Sequence, residues 1–352
     1  MSNKFTGRHL EFHILQSFPV SCLNRDDLGS PKSAMIGGVQ RARVSSQCWK
    51  RAIRLAMHDL GSPIAHRTKL IVKTIQDRCL ALGATEEQAA ACGKWTAQSF
   101  TKKVDEKGLS DTLFFISDSE AQKIAEAFRD NQFKEIKDKE LQKICKNAID
   151  PAHDGLDIAL FGRMVADAAD MNVEAAASVA HAISIHRVNP EIDFFTAVDD
   201  CKREDESGSA HMGSLEFNSA TYYRYISLDL GQLAETMKTE EIAPAIEVFT
   251  KALFLAVPAA RQATMAAASP WNYAIVTLRK GQRLQLPFNS PVKTSRENPD
   301  LVQAGIAEMK HRYDTCKNLY GSLFGLEFES EFGEGHNGFD AMLAGILNAV
   351  RA

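Results

Sequence analysis

A short basic segment, residues 40–54, concentrates positive charge in an otherwise acidic chain. It reads QRARVSSQCWKRAIR and holds five cations and no carboxylate, while the whole chain has a formal charge of −4. Cations without carboxylate partners repel one another, so an anionic ligand would stabilise them, and phosphates of a nucleic acid suit such a patch. The five cations are Arg41, Arg43, Lys50, Arg51 and Arg54.

The helical period sorts the side chains of this segment. A helix that begins at Ser45 or Ser46 would place Trp49, Ile53, Ala56 and Leu60 towards a core and the polar residues on the opposite face. The polar set is Gln47, Lys50, Arg51 and Arg54. Hydroxyl donors of Ser45 and Ser46, the free N–H groups of the helix start, and Arg41 and Arg43 on an extended approach would complete a phosphate cradle. The alternative is a solvated basic face that offsets acids elsewhere in the fold.

Other residues that could take part in catalysis or bind a cofactor form weaker patterns. His9, His13, Asp26 and Asp27 could support the acid–base chemistry of a ribonuclease, although their spacing does not demand it. FGEGHNG, residues 332–338, matches GxGxxG but lacks the βαβ unit of a dinucleotide site, so we expect a loop that caps the last helix. The seven cysteines include no CxxC pair, which favours free thiols and neither a metal site nor a cofactor.

The elements that must position these residues are a mixture of strands and helices. We predict a strand at 9–18, mostly helix over 64–176, a helix in EAAASVAHAISIH, a further strand in WNYAIVTLRK and a terminal helix in FDAMLAGILNAV. Two strand-like stretches, DFFTAVDD and GSLEFNSATYYRYISLDL, flank polar CKREDESGSA and predict a projecting β-hairpin. Without the helical insertion and the hairpin, the order of elements predicts an α+β, RRM-like (ferredoxin-like) sheet.

Composition indicates a globular protein. Hydrophobic residues make up 45% of the 352 residues, and no apolar run approaches the ~20 residues that span a bilayer. The N-terminal stretch lacks a signal-peptide core, so we expect a cytoplasmic location.

Four blocks of sequence resemble a known family. They are SCLNRDD (21–27), GGVQRARVSSQCWKRAIR (37–54), GLDIALFGRM (155–164) and the stretch from AHAISIH to YYRY (180–225). The chain is thereby similar to CasC, the backbone subunit of the type I-E CRISPR surveillance complex Cascade. The resemblance implies an RRM-like palm, a helical finger domain and a thumb hairpin. The palm would comprise residues 1–63, 177–187 and 221–352, the finger 64–176 and the thumb 188–220.

The resemblance also implies residue roles. Arg25, Ser45, Gln47 and the basic helix face would contact the guide RNA backbone. Met164, Phe195, Thr196 and Met212 match positions beside a displaced base, and aromatic stacking on a base tolerates any sequence. Contacts to target DNA are implied for lysines of the finger, approximately Lys137, Lys139, Lys143 and Lys146. The acidic loop Glu204–Glu206 should point away from phosphate.

The implied function is a non-catalytic scaffold. Copies of the chain would polymerise along a CRISPR RNA, kink it at regular intervals and support R-loop formation on target DNA in antiviral defence. Its partners would be CRISPR RNA, target DNA, further copies of itself and the large, small, guide-processing and cap subunits. One alternative is a metal-dependent endoribonuclease that cuts target RNA with Asp193 or Asp199. Another is a general single-strand binder without a CRISPR partner.

Overall fold

The computed structural model describes residues 3–101, 103–197, 211–296 and 299–352. The strands within these residues are β1 (Arg8–Ser21), β2 (Ser33–Ile36), β3 (Val39–Val44), β4 (His66–Thr68), β5 (Phe114–Ile116), β6 (Ala177–Val179), β7 (Ala182–Ser184), β8 (Glu191–Ala197), β9 (His211–Asp229), β10 (Tyr273–Lys280) and β11 (Leu326–Gly333). The α-helices are α1 (Ser46–Asp59), α2 (Ile71–Ala81), α3 (Glu86–Phe100), α4 (Asp118–Asp130), α5 (Asp138–Asn147), α6 (Leu156–Phe161), α7 (Leu230–Thr236), α8 (Thr239–Leu255), α9 (Gln262–Met265), α10 (Leu301–Tyr320) and α11 (Phe339–Arg351). No helix in the described residues has the length and hydropathy to cross a membrane.

The chain divides into two compact units. One comprises residues 1–6, 57–178 and 228–249, and the other comprises 7–56, 179–227 and 250–352. The principal sheet has the strand order β11-β10-β1-β9-β7-β3-β2, with β6 and β8 also paired to β9. Strands β1 and β10 pair in antiparallel register, from Arg8 opposite Lys280 to Leu15 opposite Tyr273. A mixed α+β class with a large antiparallel sheet is therefore confirmed.

Successive side chains of the strands in the second unit point alternately into two apolar cores, one on each face of the sheet. On one face, Leu15, Tyr223 and Tyr273 pack with Met309 and Tyr313 of α10. Phe18, Val44 and Tyr222 belong to the other core, together with Trp49 of α1. Two helices thus cover opposite faces of one sheet, and α1 takes its position from Trp49.

An irregular segment, residues 282–292, lies along the α10 face and is anchored by buried polar side chains. Leu284 N donates to Glu11 Oε1 at 2.8 Å, and Leu286 N donates to the Tyr223 hydroxyl at 3.0 Å. Val292 N donates to Ile185 O at 2.7 Å. These bonds satisfy backbone groups that the absence of secondary structure would otherwise leave unpaired.

The other unit is built mainly from α2, α3, α4 and α5 around a common core that includes Ile75, Phe100 and Phe128. Helices α3 and α4 both begin with a capping box, made by Thr85 with Gln88 and by Ser117 with Glu120. Beneath α4, Arg163 pairs with Glu120 at 2.6 Å, and both side chains are buried.

One predicted helix differs in the structure. The helix expected in EAAASVAHAISIH is wrong, because this stretch forms β6 and β7. Ala has high helix propensity, but Ala182 pairs with Val44 and is fully buried, so strand pairing and burial override the local preference. Within the mostly helical range 64–176, helices α4 and α5 are separated by a break where Gln132 and Phe133 both adopt a φ of 56°.

Candidate nucleic-acid interface

Helix α1 begins where the sequence predicted. The Ser45 hydroxyl accepts a bond from Cys48 N at 3.3 Å, which makes Ser45 the N-cap. Ser45 N in turn donates to Asn24 Oδ1 at 2.9 Å, and Cys48 Sγ donates to Leu23 O at 3.6 Å. The loop of residues 22–31 is therefore tied to the first turn of α1, which joins two of the sequence blocks.

The two faces of α1 separate over its first two turns as the helical period predicts. Trp49 and Ile53 are buried, and Ala52 is nearly so. The expectation for Leu60 is wrong, because Leu60 lies beyond the last residue of α1 and is 40% exposed, while Ala56 is half-buried. Gln47 and Arg51 are exposed, whereas Lys50 and Arg54 are half-buried, as is Ser46. Burial lowers the pKa of Lys50. Arg51 forms no ion pair with any residue that the structure describes, so its charge is available to a ligand.

Arg25 lies in the loop beside α1. Asp26 closes this loop, because its carboxylate accepts bonds from the backbone N–H groups of Leu28 and Ser30, each at 2.9 Å. The loop residues, with Cys48 and Ala260, line an open cleft of about 570 Å³, and Arg25 is exposed at it. Arg25, for which the resemblance implies a guide-backbone contact, is therefore a surface cation beside α1.

Arg261 was missed by the sequence analysis. Burial raises the pKa of the Cys22 thiol, and the charges of Arg25 and Arg261 oppose that shift, which places both guanidinium groups near Cys22. Arg261 precedes α9 with a φ of 58°, a left-handed backbone conformation that nothing in the local sequence signals. Ala260, next to it, lines the cleft.

Arg41 does not belong to the phosphate cradle, contrary to the prediction from the sequence. It is fully buried, and its guanidinium donates to Ser184 O at 2.6 Å and to Phe288 O at 3.3 Å. Because Ala42 and Val44 pack in the core that contains Trp49, alternation directs Arg41 to the sheet face opposite α1. There the segment 282–292 covers it, so Arg41 is not available to an external phosphate.

Arg43 remains at the surface, although it shares Arg41's side of the strand. It is half-buried, donates to Ser33 O at 3.4 Å and lies 3.3 Å from His181 Nδ1. Lys32, which the sequence analysis also missed, is near both groups. Burial, and then the charges of Arg43 and Lys32, lower the pKa of His181.

Lys32 also links Arg43 to helix α1. Burial raises the pKa of the Cys48 thiol, while Lys32 and Arg51 oppose the shift, so both cations lie near this thiol. We call the set formed by the loop cation, Lys32, Arg43 and the polar face of α1 the α1 basic surface. Its members are Arg25, Lys32, Arg43, Gln47, Lys50, Arg51 and Arg54.

The predicted hairpin is formed by β8 and β9. Phe195 pairs with Gly213, Thr196 with Met212 and Phe194 with Ser214. Directly opposed residues point to the same face, so Thr196 and Met212 share a face with Phe194, while Phe195 points the other way. Phe195 and Met212, both expected beside a displaced base, therefore lie on opposite faces of this hairpin.

The two hairpin faces have different character. A Cβ on Gly213 would come within 2.6 Å of Phe195 Cζ, so the ring lies directly over the glycine backbone. On the opposite face Ile192, Phe194 and Met212 are 70%, 63% and 61% exposed. Ile192 and Phe194 escaped the sequence analysis, although their alternation with Asp193 and Phe195 could have revealed them. The acidic loop Glu204–Glu206 lies outside the described residues.

The remaining expected nucleic-acid residues belong to the first unit. Met164 is 86% exposed and directly follows Arg163, whose backbone forms a bridge with Val173. Lys137, Lys139, Lys143 and Lys146 are all exposed, at the start and along the outer face of α5. None of these four forms an ion pair with another described residue.

The residues considered for ribonuclease chemistry lie in different surroundings. His13 is buried among Tyr223, Tyr225 and Tyr313, and burial lowers its pKa to about 4. Asp193 is exposed on β8, whereas Asp199 lies outside the described residues. In the described part of the chain, no group of three or more His, Cys, Asp or Glu residues could hold a metal ion.

Comparison with known proteins finds this fold in solved structures. No curated protein sequence matches the chain. A chain of a solved structure described as "CRISPR RNA-guided surveillance complex, pre-nicking" is 24% identical, with a TM-score of 0.80, and the alignment covers 97% of this chain and 100% of that one. A chain of a second "CRISPR RNA-guided surveillance complex" is 20% identical with a TM-score of 0.70, covering 97% and 99%. Both likenesses establish a shared fold.

The sequence comparison is more specific. The model of the family described as CT1975-like protein matches residues 10–335, which is most of the chain. This range includes the loop of Arg25, helix α1, the hairpin and the helical unit. The chain therefore belongs to the CT1975-like protein family.

Proposed function

We propose that this protein is a guide-RNA-binding backbone subunit of a CRISPR surveillance complex of the Cascade type, specifically type I-E. The observation that carries the proposal is the α1 basic surface, where Arg25 and Arg51 are exposed without an ion-pair partner among the described residues. The family membership and the fold shared with chains of CRISPR surveillance complexes support the same function.

Each part of the molecule has a distinct role in this proposal. The α1 basic surface binds phosphates and provides affinity that depends on salt but not on sequence. The exposed apolar residues of the hairpin and Met164 pack against bases where the RNA is kinked. Bases between the kinks stay free to pair with target DNA, so base pairing carries the specificity. Copies of the chain polymerise along the RNA in the cytoplasm, in an RRM-like palm, finger and thumb arrangement, and assemble with the other Cascade subunits.

Salt titrations of RNA binding test the proposal. Each phosphate contact on a single strand contributes about 0.7 to the slope of log K against log salt. We expect Arg51→Ala to reduce the slope by about 0.7, and removal of Lys50 and Arg54 as well to reduce it by about 2, equally for several unrelated RNA sequences. Lys317→Ala is the matched control, because Lys317 is already paired with Glu329 at 3.2 Å. An unchanged slope, or a loss restricted to one RNA sequence, would contradict the proposal.

An assay for cleavage separates this function from that of a nuclease. We expect no cuts when the assembled protein is incubated with guide RNA, complementary RNA and Mg²⁺. Regularly spaced cuts that Asp193→Asn or Asp199→Asn abolishes would instead identify the chain as an endoribonuclease.

A further inference from the structure

A buried arginine beneath α1 has no role in the contacts described so far. Arg224 lies on β9 and is 2% exposed. Its guanidinium stacks on the Trp49 ring, with 3.6 Å between Cζ and the ring centroid. One amino group donates to Gln16 Oε1, while Nε and the other amino group have no hydrogen-bond partner.

No carboxylate among the described residues neutralises Arg224. This distinguishes it from the two other buried arginines that meet acids, since Arg163 pairs with Glu120 and Arg279 pairs with Glu11, each at 2.6 Å. Burial lowers the pKa of Arg224 to about 9, which leaves it charged at neutral pH. A buried charge without an ionic partner costs stability, and the stack on Trp49 offsets that cost only in part.

The position of Arg224 suggests what compensates for its charge. Trp49 is on the inner face of α1, so Arg224 lies directly beneath the helix whose outer face carries Lys50, Arg51 and Arg54. We propose that Arg224 is an electrostatic positioning residue for a polyanion, which it attracts through α1 without touching it. This inference rests on the proposed function, because it takes the α1 basic surface as the place where the polyanion binds.

The expected effect is moderate. A helix with its side chains is about 10–12 Å across, and the guanidinium lies 3.6 Å beyond the Trp49 ring, so a phosphate on the outer face of α1 would lie roughly 15 Å from it. The interior between them is poorly polarisable, and the charge of Arg224 is therefore weakened less than that of a solvated side chain. We expect it to contribute about fivefold to RNA affinity at low salt.

Substitution of its neighbour Gln16 tests the charge without altering α1. Gln16→Glu places a carboxylate against the guanidinium and neutralises it. Both variants lose the bond that Gln16 donates to Ser269 O at 2.7 Å, and Gln16→Met also loses the one accepted from Arg224, but it adds no charge. Binding of a 30-nucleotide oligouridylate to the full chain is measured by fluorescence anisotropy at about 0.05 M and 0.5 M salt.

We expect Gln16→Glu to weaken binding about fivefold at the lower salt and by a smaller factor at the higher salt, because ions around the solvated phosphate screen part of the attraction when the Debye length shortens from above 10 Å to about 4 Å. Gln16→Met should stay within twofold of wild type. Arg224→Met provides a second test if Gln16→Glu fails to fold, since an apolar residue in place of a buried charge is often tolerated. It should show the same salt-dependent loss.

Two results overturn the inference: Gln16→Glu and Gln16→Met losing affinity equally, or a loss from Arg224→Met that persists unchanged at high salt. Both would reduce Arg224 to a packing residue. Arg51→Ala, measured in parallel, separates this outcome from failure of the proposed function. If Arg51→Ala has no effect on binding, the α1 basic surface is not the RNA site, whereas if only the Arg224 variants have no effect, the RNA site stands.

Discussion

The buried ion pair between Glu120 and Arg163 should dominate the stability of the helical unit. Glu120→Gln leaves the shape of the side chain almost unchanged. Its remaining carbonyl can still accept from Ser117 N, now at 2.9 Å, or from Cys145 Sγ, now at 3.4 Å. The substitution removes the negative charge that faces Arg163 at 2.6 Å and replaces one acceptor oxygen with an NH2 donor.

The loss of unfolding free energy depends on the hydrogen bonds that Arg163 retains. Loss of one partner of a buried pair costs about 3–5 kcal/mol, because the other charge stays buried. Arg163 still donates to Met171 O and Phe115 O, each at 3.1 Å, which favours the lower end of this range. A cost of about 3 kcal/mol corresponds to amide exchange roughly 150-fold faster in α4, where exchange requires opening of the unit.

A surface substitution on the same helix provides the control. Glu126 also pairs with a cation, Lys123, at 2.8 Å, but both side chains reach solvent. Glu126→Gln should therefore change the free energy of opening by less than about 0.5 kcal/mol. Hydrogen exchange followed by mass spectrometry on α4 peptides measures both variants. If the two variants exchange at similar rates, the reasoning about burial is refuted.

Three further predictions concern the hairpin, the sheet and α5. Gly213→Ala should displace the Phe195 ring by about 1 Å, because the new Cβ would otherwise lie 2.6 Å from Phe195 Cζ. The free energy of unfolding should fall by less than about 1 kcal/mol, while chemical probing of bound RNA should show weaker periodic reactivity. Unaltered periodicity would exclude a role for this ring. Burial lowers the pKa of His13 to about 4, so folding favours the neutral imidazole, and the free energy of unfolding should fall by about 3 kcal/mol as pH drops from 6.5 to 4. Urea titrations should show a flatter dependence of this free energy on pH for His13→Gln. An identical dependence on pH would contradict this. Alanine at Lys137, Lys139, Lys143 and Lys146 together should weaken target DNA binding but not guide binding; in gel-shift assays, equal loss of both would rule out a DNA-specific surface.

Sequence patterns that repeat within one element predicted the structure well. The alternation in residues 9–18 and the helical period after Ser45 identified β1 and α1. The alternation indicated a half-buried strand, however, whereas β1 is buried on both faces because the sheet is covered on both sides. The same reasoning separated Trp49 and Ile53 from Gln47 and Arg51. Charge content alone could not show that Arg41 is buried, since its contacts, Ser184 and Phe288, are more than 140 residues away in sequence.

The errors arose where distant strands decide the local structure. An alanine-rich stretch became β6 and β7 because β9 and β3 offer pairing partners. Lys32 and Arg261 joined the site through loop conformations without a sequence signature. The arrangement of Phe194 and Phe195 on opposite hairpin faces depends on the register with Gly213 and Ser214, which the sequence of one strand does not specify.

The contact between the α1 basic surface and a guide RNA can be observed directly. The complex would be isolated with its own RNA, irradiated with ultraviolet light and digested, and nucleotide-modified peptides would be identified by mass spectrometry. We expect adducts in peptides that contain the loop of residues 22–31 and the first two turns of α1, with nucleotides from many positions of the guide. Adducts confined to other surfaces, such as the exposed end of α10 at Leu319 and Leu323, would contradict the account.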